Sequence, residues 1–383
     1  MKQPEGFVTP GKEHLVCKLQ KSLYGLKQAA RAWNIKANQV LLEIGFMRSK
    51  ADPCLYTREV TGTRLYVLVY VDDLLICHRD DSTITEAWHK LSRYFELRDL
   101  GDVCHYLGIE VERPRDDCFL LHQTNKIDTL LHNYNLGSAK GSAVPMDPGY
   151  IRLTGEEDLL PTNDLYRTAV GELLYFSTTT RPDIACVTGI LCRRVTKSRQ
   201  RDWDAVKKVF RYLKHTRDLK LRLSGRQTLH LTSCVDADWA GNVVDRKSTS
   251  GYIIQLGDSL ISWSTRKQPT VSLSTTEAEY ISAAYASQEV LWLHALLEDF
   301  GLHVTRPTRL FEDNQGCIKL ALSEGIKART KHIDVRHHHL RDLIERKIIE
   351  FEYRESRDNI ADALTKPFPR PRLEDLRQRM GLV

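Results

Sequence analysis

Cys-x-x-Cys pairs are absent from the 383 residues although nine cysteines are present, which argues against a structural zinc site and against the disulfide framework of a small secreted protein. Long hydrophobic runs are absent as well. None reaches the roughly 18 residues that a membrane helix needs, so no membrane partner is expected. The opening Met1-Lys2-Gln3-Pro4-Glu5 lacks the apolar stretch of a signal peptide. Internal repeats and low-complexity tracts are also missing, and the expectation is an intracellular protein built of ordinary globular domains.

What is present fits that expectation. Apolar residues make up 42% of the chain, usual for soluble globular proteins, and the length suffices for two or three domains, each with its own core. A formal charge of +6 is weak evidence for a polyanionic partner, but its distribution says more. From Leu191 to His230 there are 13 Lys and Arg against 3 acids, a local excess of 10. Such a stretch either neutralises phosphates and gives salt-sensitive nucleic-acid binding, or forms a solvated helix face. Within it, a helix over Trp203 to Lys214 places Val206, Val209, Phe210 and Leu213 on one face and Lys207, Lys208, Arg211 and Lys214 largely on the others. The apolar face packs, and the basic one is free to follow a duplex backbone.

Residues Leu229 to Val235 read as a half-buried strand, and alternation puts Asp236 and Asp238 on one face where it ends. Acids placed there need water, a cation or a metal. Three more acids fall at expected element ends: Glu279 within Ser274-Thr275-Thr276-Glu277-Ala278-Glu279-Tyr280, Asp313 after Leu310-Phe311-Glu312, and Asp362 within Asn359-Ile360-Ala361-Asp362. Convergent carboxylates favour hard, oxygen-seeking ions such as Mg²⁺, although exposed acids at element ends are common and spacing alone does not bring them together. Ser274 to Glu277 reads as a capping box that turns Glu277 back to a helix N-terminus, while Ser282, Ala283 and Ala286 leave space above Glu279. Glu312 alternates away from Asp313. His332, His337, His338 and His339 have mixed spacing on an expected helix, which favours surface and packing roles over metal binding.

Nearer the start, Ser22 to Trp33 hold a glycine turn and then an amphipathic helix. Lys27, Gln28 and Arg31 cluster where free backbone N–H groups and the helix dipole favour phosphate. Leu65 to Val71 run into Asp72-Asp73 and then Leu74 to Cys77, the pattern of a hairpin. Asp at a tight turn is usually structural. Strands this apolar, however, are expected to be buried on both faces, where adjacent like charges require a cation.

Two groups of phrases resemble known families. VDADWAG, RKSTSGY, STTEAEY, EDNQG, TKHIDVRHH and NIADALTKP, in an order of three strands, helix, strand, helices, strand and helix, resemble the copia-type retrotransposon version of the ribonuclease H domain over Leu229 to about Pro367. SLYGLKQAARAW and Tyr70-Val71-Asp72-Asp73 resemble the palm of a reverse transcriptase from the same elements, over most of Met1 to Leu121, and Tyr166 to Tyr175 and Thr180 to Ile184 resemble its connecting region. The resemblance implies a mixture of α+β and α/β: a partial reverse transcriptase palm at 1–121, a thumb and connection at 122–228, a ribonuclease H domain with a mixed five-stranded sheet and flanking helices at 229–367, and a tail at 368–383.

It also implies a chemistry. Asp236, Glu279, Asp313 and Asp362 would hold two Mg²⁺ ions, with Mn²⁺ as the alternative, and cut the RNA strand of an RNA·DNA hybrid. Lys27 and Gln28 would belong to the polymerase segment that contacts template and incoming nucleotide, and Asp72 and Asp73 to the motif carrying its metal-binding aspartates, with template and primer nucleic acid as partners. Other Pol segments or a second copy of the chain would be partners, in a cytoplasmic particle or the nucleus. Two departures qualify this. The family's first palm aspartate lies upstream of the phrase that opens this chain, so polymerisation by the chain alone is not expected. The loop Tyr353 to Asp358 lacks the histidine that aids product release in some ribonucleases H, so fast turnover is not expected. The competing expectation is a nucleic-acid-binding remnant, or a host-adopted interaction protein, without turnover.

Overall fold

Alternation of apolar residues fixes the first sheet. In the computed structural model, which describes residues 1–23, 25–152, 158–225, 230–304, 306–323 and 334–383, β1 (Met47–Arg48), β2 (Leu55–Val60), β3 (Thr63–Tyr70) and β4 (Asp73–Cys77) pair in that order, all antiparallel. Tyr24, part of the 146–163 linker, Leu229 and His332 lie outside the described residues. Leu65, Val67 and Val69 of β3 are buried against Val40 and Leu41 of α1 (Ala29–Glu43) and Ala87 and Leu91 of α2 (Asp81–Leu91). Only one face of β3 is buried, and β4 is half exposed. The expectation of strands covered on both sides is therefore corrected. The other face is half-buried, and beyond it Asp72 and Asp73 are exposed at a turn where Val71 takes φ of 51°, so burial by itself calls for no cation there. These elements form one compact unit, Met1–Gly101 with His294–His303.

The second unit, Asp102–Leu293 with Val304–Val383, holds two sheets. β5 (His105–Tyr106), β6 (Ile109–Arg115), β7 (Cys118–His122) and β8 (Leu221–Ser224) form an antiparallel sheet in that order. β7 pairs with β8, far along the chain, so residues 102–121 pack within this second unit. Helices α3 (Thr124–Asn133), α4 (Asp164–Thr179), α5 (Ala185–Cys192) and α6 (Gln200–His215) share a core of Ile127, Leu130, Leu173, Phe176, Val206, Val209, Phe210 and Leu213, so the apolar face expected of α6 is the one that packs. The fully buried Arg181 donates to Asp183 at 2.9 and 2.7 Å and to the Thr216 carbonyl at 3.1 Å, while Tyr212 donates to Asp183 at 2.7 Å. Each buried polar group in that knot is answered, which burial requires.

The remaining sheet has the order β11-β10-β9-β12-β13: β9 (Leu231–Asp238), β10 (Thr249–Leu256) and β11 (Ser259–Lys267) are antiparallel, and β12 (Thr308–Glu312) runs parallel to both β9 and β13 (Ile349–Tyr353). With α7 (Thr275–Asp299), α8 (Gln315–Ala321) and α9 (Asp334–Glu345) this is the mixed five-stranded, helix-flanked sheet expected of a ribonuclease H-like domain. Two details differ from the sequence reading. The last helix, expected around Asp362, is a single 3₁₀ turn, Ile360–Leu364. The stretch read as a tail contains α10 (Arg370–Arg379), which buries Leu373 and Leu376, with Met380 and Leu382 buried just beyond it. Val383 exchanges two backbone hydrogen bonds of 2.9 Å with Lys220, so the end of the chain is stitched onto the edge of β8.

Candidate metal centre

The central strand β9 carries the first acid. Asp236 lies opposite Gly251 of β10, and α7 crosses above both on small residues. Ser282, Ala283 and Ala286 are all fully buried, and the Ser282 hydroxyl donates to the carbonyls of Asp236 at 2.8 Å and Gly251 at 3.1 Å. That close approach aims Glu279, one turn earlier, at the end of β9. On the other side Asn359 donates to the Val235 carbonyl at 2.7 Å and caps the 3₁₀ turn through Ala361 N–H at 3.1 Å. A Cβ at Gly251 would lie 2.8 Å from Leu364 Cβ and 2.9 Å from Thr365 Cγ2, so glycine is what lets the turn close on the sheet. Thr365 then donates its hydroxyl to Asp236 Oδ2.

Asp236, Glu279 and Asp313 come together, one carboxylate oxygen of each lying within 4.8 Å of the others. Asp236 and Glu279 are buried, and Asp313 is half-buried at the C-terminal end of β12. Glu279 Oε2 is sealed from water with no hydrogen-bond donor among the described residues. Burial raises the Asp236 carboxyl to about 7, with the Asp362 charge adding to it and Lys366 and Thr365 opposing it. Burial also raises Glu279 well above the usual carboxylate range, helped by the charges of Glu312 and Asp236. Like charges collected in a low dielectric cost free energy unless protonated or met by a cation. A donor set of carboxylates with no His or Cys suits hard ions such as Mg²⁺ or Mn²⁺, so the residues present fit the metal that the resemblance implies.

Asp362 is close to this group but is not part of the converging trio. It is buried, its Oδ1 is 2.7 Å from Lys366 Nζ, and its Oδ2 is 3.4 Å from Arg372 Nη2. Glu312, which alternation set aside, is fully buried, with Oε1 accepting from Asn314 N–H at 2.9 Å. Burial raises its carboxyl well above the usual range. β12 is a middle strand covered on both faces, so alternation does not expose every second residue there. A continuous apolar run before two acids was the available signal. Glu277 behaves as the capping box predicts, accepting from Leu273 N–H at 2.8 Å while Ser274 Oγ accepts from Glu277 N–H at 3.2 Å. His337 is buried and stacks on Tyr280 with ring centroids 6.0 Å apart, and His339 Nε2 lies 3.0 Å from Ser287 Oγ, both packing roles.

The basic residues expected to contact nucleic acid are differently placed. Lys27 and Gln28 are exposed at the start of α1. On α6 the lysines have partners within the fold: Lys207 pairs with Asp204 at 2.6 Å, Lys208 with Asp147 at 2.5 Å, and Lys214 donates to the carbonyls of Gly137 at 2.5 Å and Ala139 at 2.8 Å. Arg211 is half-buried with its Nε sealed from water. The segment after α3 folds over this face, which the helical pattern of α6 alone could not reveal.

Residues 1–148 match the reverse transcriptase (RNA-dependent DNA polymerase) family. The whole chain aligns at 37% identity with the retrovirus-related Pol polyprotein from transposon TNT 1-94 of Nicotiana tabacum, of which it spans 29%. It is also 30% identical to a putative transposon Ty5-1 protein of Saccharomyces cerevisiae, over 76% of this chain and 94% of that protein. The chain belongs to the copia-type retrotransposon Pol family. Lys27, Gln28, Asp72 and Asp73 of the copia-type chain lie within the reverse transcriptase match, and the acidic centre lies beyond it. Among solved structures, a ribonuclease H1 isolated from compost is similar over 36% of the copia-type chain and 93% of its own length, at 14% identity and a TM-score of 0.29. A likeness this slight leaves the acidic centre to be read from its own geometry.

Proposed function

We propose that this copia-type Pol chain is a divalent-metal-dependent nuclease that hydrolyses the RNA strand of RNA·DNA hybrids. One observation carries the reading: Asp236, Glu279 and Asp313, from a strand, a helix and a strand end, bring oxygens within 4.8 Å of one another, and Glu279 Oε2 is buried with no donor among the described residues. Asp236, Glu279 and Asp313 would hold the ion, and Asp362 a second one. Divalent ions supply, when bound, activation of water and neutralisation of charge on the phosphoryl and leaving oxygens.

The chain's own part is positioning. Thr365 fixes the rotamer of Asp236, Ser282 and Asn359 hold the end of β9, and burial keeps the carboxylates from being solvated individually. Selectivity for the RNA strand would come from its 2′-OH groups, read across a shallow minor groove with little regard to sequence. All nine cysteines are free thiols, which supports action inside the cell, in a particle or the nucleus. No described helix is long and apolar enough to cross a membrane.

Purified chain incubated with a labelled RNA·DNA hybrid is expected to cut the RNA strand with Mg²⁺ and not with EDTA, and Asp236→Asn to lose about 100-fold or more of the rate. Hybrid binding with no metal-dependent cutting would instead support a non-catalytic remnant or a host-adopted binding protein.

A further inference from the structure

The outer strands of the five-stranded sheet and α7 border a cavity of about 210 Å³. In the β10–β11 ladder Ser250 lies opposite Arg266 and Tyr252 opposite Ser264, so these side chains share one face of the sheet. Tyr285, Gln288 and Glu289 meet that face from α7 at helical spacing. Part of the lining is fixed from within. Glu289 Oε1 accepts from the Ser262 hydroxyl at 2.7 Å, and Ser250 Oγ accepts from the Gln268 amide at 2.9 Å. Burial and the neighbouring Glu289 charge push the Tyr252 hydroxyl up to about 12, so it remains a donor. The Arg266 guanidinium is differently placed. Among the described residues it has no carboxylate or carbonyl partner, and it rests on the Tyr285 ring, 4.8 Å from the centroid.

We propose that this cavity binds one guanine base, presented by a free nucleotide or by an unpaired residue of a nucleic-acid strand. Size limits the ligand first: small-molecule sites usually start near about 300 Å³, so a single ring system fits here and a dinucleotide does not. Charge limits it next. Glu289 opposes a bare anion at Arg266, and Arg266 opposes a bare cation at Glu289. A ligand that answers both is neutral, with a donor edge and an acceptor edge. Guanine has that pattern, N1–H and N2–H₂ for the carboxylate and O6 and N7 for the guanidinium, whereas adenine offers a carboxylate one amino group and has no carbonyl. Its flat ring also extends the stack of Arg266 on Tyr285. Tyr285 lies six residues beyond Glu279 on α7, about 9 Å along the helix. None of the lining residues belongs to the acidic centre, so the site stands apart from the metal reading.

The test is titration of the full chain in EDTA with GMP and with AMP, read by calorimetry, alongside fluorescence anisotropy of two RNA·DNA hybrids whose RNA ends in one unpaired guanosine or one unpaired adenosine. Guanine is expected to bind at least about tenfold more tightly than adenine. Glu289→Gln should bring the two within about threefold of each other, and Arg266→Met should weaken guanine binding about tenfold. Arg266 is exposed, so its substitution should leave the melting temperature within about 2 °C of wild type, and the result stands even if Glu289→Gln fails to fold. Discrimination between the two hybrids identifies the strand end as the source of the base, and discrimination between the nucleotides alone identifies the free nucleotide. Like affinities within both pairs of probes would overturn the proposal, as would a preference for guanine that survives Arg266→Met undiminished. Hybrid cutting is read separately with Mg²⁺, so the failure of either reading leaves the other standing.

Discussion

At the scale of single residues, the centre is a problem of unanswered charge. Among the described residues Asp236 accepts a side-chain hydrogen bond from the Thr365 hydroxyl, and removing it leaves a buried anion short of a partner. Thr365→Val should therefore cost about 1–3 kcal/mol at pH 8 in EDTA, with Thr365→Ser restoring most of it, as urea unfolding would show. A cost near zero for Val would mean that the contact is incidental. The acids Asp236, Glu279, Asp313 and Asp362 were all legible in the sequence because each ends a recognisable run beside a distinctive phrase. Glu312 and the ion pairs of Asp362 were not. Alternation fails on a strand covered on both faces, and a salt bridge between Asp362 and α10 depends on how a segment read as a tail folds back.

At the scale of elements, the geometry depends on how closely the 3₁₀ turn Ile360–Leu364 and α7 approach β9 and β10. Gly251 sets that distance on one side. Gly251→Ala would push its Cβ to 2.8 Å from Leu364 Cβ and 3.2 Å from the Ala361 carbonyl, where neither a Cβ nor a backbone oxygen gives way easily. Overpacking of this kind should cost about 1–3 kcal/mol and move the turn bearing Asp362, weakening Mn²⁺ binding. Chemical denaturation and titration of the one variant read both effects, and an unchanged stability would show that the turn has slack. Helix α6 illustrates the opposite limit of sequence reasoning. Its apolar stripe was evident from period, and Val206, Val209, Phe210 and Leu213 are fully buried. Its basic residues looked equally available, yet Lys208 and Lys214 hold the segment after α3.

At the scale of the whole molecule, the cluster links stability to pH and to metal. Asp236 and Glu279 have raised carboxyls, Asp236 to about 7, so in the metal-free chain the folded state holds protons that the unfolded state has released. Stability from this source falls as pH climbs from about 4 to about 7 and stays low above that. A bound divalent ion removes the penalty, so Mg²⁺ should raise the melting temperature more at pH 8 than at pH 5.5, and Asp236→Asn should flatten the difference. An equal shift at both pH values would count against the cluster as the binding site. The sequence by itself determined the family and singled out the acids as candidates, because the phrases that resemble copia-type elements are short and local and need no partner to be read. Only the tertiary structure decided which charges meet. That Lys208 and Lys214 of α6 meet the segment after α3 depends on residues far apart in the chain closing to within a few ångströms, and that Asp362 meets Arg372 depends on α10 folding back on the 3₁₀ turn; in a buried setting such distances decide which charge a carboxylate sees.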